Sequence, residues 1–342
     1  MKTVVVFQGG GALGAFGGGA WATVAPWLRA RGDRVVALAG TSIGALNAAL
    51  AARHLRSADM GAQALLRLWR EDIATPSVPF LGLPLGDSAG AAALRAWNGV
   101  LTGLLCGTRH LYRPQPLHWL PWVGLRRLEH PFYDRAAMWA LLEREAGTQS
   151  SAGAPAQPLL AAAAVDLMSG ELRLFDSDAA PLGPAELAAS SAIPMMFDPV
   201  DVGGRRYWDG DMARDSLLPP LLQRLIESGR WRPDAGEPLQ LVSIEQFGRP
   251  LAEVPQSGLQ LAYRAFNLMQ LDKLVPPALP PGPGVKRWVR ITRPPLPEDG
   301  ISGQFDYSPP RLEALIAQGR DTARSALVGS LTPAGEQTGA DR

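Results

Sequence analysis

The chain has 342 residues, 46% of them hydrophobic and 19% charged, with 33 Lys and Arg against 32 Asp and Glu. That length suits one α/β domain with insertions, and that apolar fraction fills a large core, which excludes a disordered chain. A net charge of +1 without a basic stripe speaks against a nucleic-acid partner, and one cysteine with four histidines offers little to a disulfide framework or an ordinary zinc site.

Met1 to Phe7 could pass for a signal peptide, but its apolar run is too short and breaks at once into glycines, so Thr3 to Phe7 reads as a buried strand. Gly9-Gly10-Gly11-Ala12-Leu13-Gly14 follows, then a helix over 15–30 whose Gly17-Gly18-Gly19 implies very close packing. Val35 to Ala39 is a second buried strand, Ala45 to Arg53 a helix, and 57–71 another. This alternation predicts a mainly parallel sheet with right-handed crossovers.

From Thr75 to Pro131 the chain is rich in Pro, Gly, Leu and Trp and reads as a cap or lid inserted into the core, with one short helix over 91–97. A helix over 134–145 and a surface loop over 147–158 come next. Leu159 to Asp166 and Leu172 to Phe175 read as a hairpin, followed by a helix over 184–191 and short strands at 200–202 and 205–208. The remainder reads as a helix over 217–227, a strand over 239–244, a helix over 262–274, a loop over 276–283, a strand over 285–291 and a closing helix over 309–327. Residues 1–332 are expected to form a single domain and 333–342 a disordered tail. No run approaches the length of a spanning helix. The single cysteine, Cys106, fits a reducing compartment, so a cytoplasmic protein is expected, with contact at a membrane surface left open.

Gly40-Thr41-Ser42-Ile43-Gly44 stands between a buried strand and a helix, the context of a nucleophile elbow. Glycines flank the serine because the sharp turn leaves no room for side chains, and Ser42 Oγ is exposed at a helix start. Ser42 is the candidate nucleophile. The glycine cluster admits two readings. It fits the dinucleotide fingerprint, with Asp33 nearly the right distance on, but Asp33 precedes the second strand instead of ending it. Beside a nucleophile the same turn supplies backbone N–H groups for an oxyanion, which makes Gly10, Gly11 and Ala12 the candidate donors.

No histidine is well placed as base. His54 lies about 18 Å past Ser42 at 1.5 Å per helical residue, and His110, His118 and His130 fall in the expected cap. Asp209, in Tyr207-Trp208-Asp209-Gly210, ends a strand before a tight turn and is the alternative. Ser190 and Ser191 end a helix and read as capping or loop-shaping residues, as does Asp166 at its turn.

Taken together, the cluster Gly9 to Gly14, the elbow Gly40 to Gly44 and Asp209-Gly210 resemble the patatin-like phospholipases. Ala189-Ser190-Ser191-Ala192-Ile193-Pro194 and the closing 306–324 segment add to the resemblance. It implies a three-layer α/β/α sandwich, a Ser42–Asp209 dyad without histidine, oxyanion donors in the Gly10 to Ala12 turn, and no cofactor. The family usually has a small residue after Asp-Gly, whereas Asp211 stands here. Asp211 could pair with Arg205 or Arg206, tune the base or be the base. Asp209 is favoured because the glycine follows it directly. A lipid or other carboxylic ester is the implied substrate, and Trp97, Trp119 and Trp122 would serve an acyl pocket, an interfacial surface or the core of the lid. The alternatives are a nucleotide-binding protein using Gly9 to Gly14 and a non-catalytic scaffold.

Overall fold

A strand made of Val4, Val5, Val6 and Phe7 has no polar face and needs cover on both sides. In the computed structural model, which describes residues 1–78, 89–115, 132–151, 157–194, 196–251, 254–276, 284–296 and 298–329, this is β1 (Lys2–Phe7), with those four side chains fully buried. Val5 and Phe7 enter one apolar cluster, Val4 and Val6 another.

The elements that follow are α1 (Gly14–Ala30), β2 (Arg34–Thr41), α2 (Ile43–Arg53), α3 (Ala62–Arg67), α4 (Ala89–Leu105), β3 (Arg113–Pro114), β4 (Tyr133–Asp134), α5 (Ala136–Leu141) and β5 (Leu159–Asp166). Next come β6 (Leu172–Asp176), α6 (Pro184–Ser190), β7 (Val200–Val202), β8 (Arg205–Asp209), α7 (Leu218–Glu227), β9 (Leu239–Glu245), α8 (Gly258–Gln270), β10 (Val285–Thr292), α9 (Asp299–Ser302) and α10 (Pro309–Gly329). Eight strands form one sheet in the order β10-β9-β1-β2-β5-β8-β7, with β6 also paired to β5. The run from β10 to β5 is parallel, and β6, β7 and β8 are added antiparallel. Helices α1, α2, α3 and α10 cover the Val5–Phe7 face and α7 the other. The expected fold class holds: a mixed, mostly parallel sheet flanked by helices.

The α1 glycines pack as closely as their sequence implied. A Cβ at Gly19 would lie 2.1 Å from the Ile316 carbonyl oxygen on α10, and one at Gly319 would lie 2.1 Å from that of Phe16. Several helix bounds differ from expectation, for local reasons. The helix expected over 57–71 starts only at Ala62, because the Ser57 hydroxyl and the Asp59 carboxylate take the N–H groups of Gly61 and Gln63 in a turn. It then continues as a π-helical turn, Leu68–Ile73. The helix expected over 134–145 is α5 followed by a π-helical turn, Leu142–Ala146. The helix expected over 91–97 runs on to Leu105, since Gly99 and Gly103 make room for Asp306 and for the Phe305 carbonyl. The helix expected over 262–274 begins at Gly258, where Ser257 and Gln260 form a reciprocal cap, and ends at Gln270.

Residues 79–88 and 116–131 of the expected cap, with His118, Trp119, Trp122 and His130, lie outside the described residues. So do 152–156, 277–283 and the tail from 333. Among the described residues no helix is long and apolar enough to cross a membrane.

One edge of β5 positions the site. Because β6 pairs with Ala161 to Val165 throughout, β2 and β8 must share the opposite edge. β2 runs parallel to β5 and ends with Thr41 opposite Ala163; β8 runs antiparallel and ends with Asp209 opposite Ala164. The two strands meet head-on.

Candidate active site

At the end of β2 the chain turns into α2 through a single residue. A Cβ at Gly40 would lie 2.4 Å from the Gly44 carbonyl carbon, and one at Gly44 would lie 2.3 Å from the Phe7 carbonyl oxygen. Glycine is thus required at both flanks. Ser42 takes φ 53° and ψ −131°, a left-handed conformation strained for an L side chain. Its N–H is held at 3.1 Å by both the carbonyl and the hydroxyl oxygen of Ser190. The hydroxyl stands at the N-terminus of α2, where the helix dipole favours negative charge.

Asp209 arrives from the opposite direction. Ser42 Oγ donates to Asp209 Oδ2 at 2.7 Å. Oδ1 accepts the N–H of Asp211 at 2.9 Å, and the Asp209 N–H donates to the Ala192 carbonyl at 2.9 Å. Gly210 crosses the β5 backbone so closely that a Cβ would lie 2.3 Å from the Ala163 carbonyl oxygen. Asp209 is buried, and so is Ser42, which the sequence places at an exposed helix start: the 188–192 turn and the cavity wall cover it. Burial, and next the charge of Asp211, hold the Asp209 carboxyl well above the ordinary carboxylate range. The Asp211 N–H, the Ser42 hydroxyl and the Arg135 guanidinium pull the other way.

Asp211 pairs with neither Arg205 nor Arg206; Arg205 bridges to Asp166 at 2.8 Å. The Thr41 hydroxyl donates to Asp211 Oδ1 at 2.5 Å, and Lys273 is its nearby cation. Burial pushes Asp211 up to about 6 against both. Its other oxygen fills the place of a side chain at Gly9, 2.0 Å from where a Cβ would stand. The Gly9 N–H donates to Thr41 Oγ1 at 3.2 Å. Glycine turn, elbow and acidic turn therefore interlock through Thr41, a residue that sequence reasoning passed over.

Gly10 and Gly11 take φ 134° and 56°, and their N–H groups have no acceptor among the described residues. The Ala12 N–H is engaged: it donates to the Gln304 carbonyl at 2.9 Å, and that oxygen lies 2.5 Å from where a Gly11 Cβ would be. Gly14 abuts Ile43 and Trp69 and gives its carbonyl to Asn47 at 2.9 Å. Above Ser42 lies a cavity of about 40 Å³, walled by Tyr112, Ile193, Phe197, Phe305 and Tyr307 among others.

The remaining candidates lie elsewhere. His54 caps the far end of α2, and His110 Nδ1 is 2.7 Å from the Asp72 carbonyl. Asp33 pairs with the N-terminal amine and Arg31 just ahead of β2, whereas the glycine turn follows the other end of the sheet, after β1. Asp166 accepts the N–H groups of Met168 and Ser169, capping its turn. Ser190 shapes the site through its contacts to the Ser42 N–H. Arg135 carried no sequence signal: it is one basic residue at a helix start, and its contacts to Ala188 and Ser191 are 53 and 56 residues away.

An elbow serine bonded to a strand-end carboxylate on a mostly parallel sheet is an arrangement of nucleophile and base able to support acyl transfer. Residues 5–221 match the family model described as patatin-like phospholipase, and the chain belongs to that family. No curated protein sequence matches it. Among solved structures it is similar to VipD from Legionella pneumophila, at 12% identity and a TM-score of 0.42, covering 96% of this chain and 67% of that one. It is also similar to the type III effector protein ExoU, at 17% identity and a TM-score of 0.36, covering 96% of this chain and 53% of that one. ExoU in its heterodimeric complex with SpcU from Pseudomonas aeruginosa matches at 15% identity and a TM-score of 0.35, covering 96% of this chain and 52% of that one. The chain thus spans about half the length of the ExoU chains. At these scores the family membership rests on the sequence model.

Proposed function

We propose that the chain is a serine acyl hydrolase cleaving carboxylic esters of lipids, of phospholipase A, lysophospholipase or esterase type, with Ser42 as nucleophile and Asp209 as base. The observation that carries this reading is the 2.7 Å hydrogen bond from Ser42 Oγ to Asp209 Oδ2 at the strained elbow. As Oγ attacks the ester carbonyl, Asp209 accepts its proton, and the free N–H groups of Gly10 and Gly11 stabilise the oxyanion. Collapse expels the alcohol, which takes that proton. Water then attacks the acyl-serine, giving its proton to the same carboxylate and releasing the acid. The raised pKa of Asp209 strengthens it as a base once ionised. Ala12 stays outside the donor set while Gln304 holds its N–H.

Membership of the family supports a lipid substrate, and Trp97 on α4, 42% exposed, suits contact with a lipid surface. The nucleotide reading of Gly9 to Gly14 is disfavoured on charge: a phosphate there would face the buried carboxylates of Asp211 and Asp209. A labelled fluorophosphonate should attach to the wild type and not to Ser42→Ala, and Asp209→Asn should lose about 10²–10⁴-fold in ester hydrolysis. Equal labelling of wild type and Ser42→Ala would overturn the reading.

A further inference from the structure

Arg135 precedes α5, at a helix end that favours acids over bases, and is only 7% exposed. Its Nη1 donates to the Ala188 carbonyl at 3.0 Å and its Nη2 to Ser191 Oγ at 2.6 Å. The guanidinium lies over the Phe197 ring, 4.6 Å from the centroid. Its buried Nε has no partner, and no carboxylate among the described residues is bonded to it. A buried cation in this state is unfavourable unless a nearby negative charge offsets it. The turn it grips, residues 188–192, also holds the dyad's backbone: Ser190 takes the Ser42 N–H and Ala192 the Asp209 N–H.

We infer that Arg135 is a positioning residue, pinning the 188–192 turn beneath Ser42 and Asp209 and adding a buried positive charge that favours the ionised form of Asp209. This rests on the reading of Ser42 and Asp209 as the reacting pair. The groups facing Asp209 are the Ser42 hydroxyl from the elbow, Asp211 from its own turn and Arg135 from the helical layer. Thr41 and Lys273 act on it through Asp211. Outward from Arg135, the exposed Asp134, Asp198 and Asp201 border a solvent-facing cavity. Burial lowers Arg135 to about 10, with Asp209 opposing that shift, so the guanidinium is charged at neutral pH.

The test is the pH dependence of kcat/KM for Arg135→Met, Arg135→Lys and Ser191→Ala, read beside the ¹³C carboxyl titration of Asp209, assigned by its loss in Asp209→Asn. In Arg135→Met both the acid limb and the Asp209 titration should rise, by up to about one pH unit, a rate loss of up to about tenfold below the limb. Arg135→Lys should keep the limb near that of wild type but lower kcat, because an ammonium cannot reproduce the two-pronged grip. Ser191→Ala should lower kcat without moving the limb. An Asp209 titration that is the same in wild type and Arg135→Met overturns the charge role. If Arg135→Met does not fold, a Lys variant matching wild type in kcat overturns the positioning role. A wild type that hydrolyses no ester, while the Asp209 titration still responds to Arg135, would instead sink the dyad reading.

Discussion

Ser42 holds its hydroxyl on a backbone that glycine would adopt without cost, and such strain amounts to about 1–3 kcal/mol. Ser42→Gly and Ser42→Ala lose the same hydroxyl, so their difference isolates the strain. Ser42→Gly should melt at the higher temperature by calorimetry, with both variants inactive. At Asp211 the folded pKa of about 6 lies above the ordinary aspartate value of 3.8. The native state therefore binds more protons between those values, and stability falls as pH rises through about 6. Asp211→Asn keeps an oxygen for Thr41 but removes the charge. It should raise the melting temperature relative to wild type at pH 8 and not at pH 4. Because the Asp211 charge also raises Asp209, the same variant should move the acid limb of kcat/KM to lower pH, and an unmoved limb would contradict the coupling. Ser42 is legible in the sequence because an elbow is defined within five residues, and Asp209 because a strand-end Asp-Gly stands out where histidines are scarce. Thr41 and Arg135 are not legible: each acts through contacts to residues distant in the chain, without period or motif.

Helix α1 carries three consecutive glycines that would weaken an isolated helix: Gly17 faces Asn47, Gly18 faces Trp69, and Gly19 marks the crossing with α10. Gly19 and Gly319 let the two backbones touch. Gly319→Ala places a Cβ against the Phe16 carbonyl and should cost about 1–3 kcal/mol. Gly329→Ala, at the end of the same helix with nothing within 4 Å, should leave the melting temperature near that of wild type. Equal effects at the two positions would refute this account. The sequence reveals that α1 packs closely but not on what, since the partner arrives in the last helix. Gly99 and Gly103 show the converse: they look like breaks in α4, yet they are the places where the 305–306 segment lies against it.

Across the whole molecule, the segment after α9 closes the site. The Gln304 carbonyl occupies the Ala12 N–H, and the cavity left over Ser42, about 40 Å³, has room for about three waters. Phe305→Ala opens that cavity, and the ratio of kcat/KM for octanoyl over acetyl esters should rise about tenfold; an unchanged ratio would mean that acyl chains enter elsewhere. This closure joins the first glycine turn to the final fifth of the chain, too far apart for local pattern to reveal. The mainly parallel character of the sheet is more accessible, because short apolar runs alternating with helical segments mark buried strands and crossovers. The arrangement along β5 goes further. The ends of β2 and β8 abut without a covalent link between them, and one peptide step of β5, about 3.3 Å, sets their offset. β5 acts as a gauge block between two parts made separately: the spacing of nucleophile and base is copied from a constant of the extended polypeptide, which drift in loop length or side-chain volume leaves unaltered.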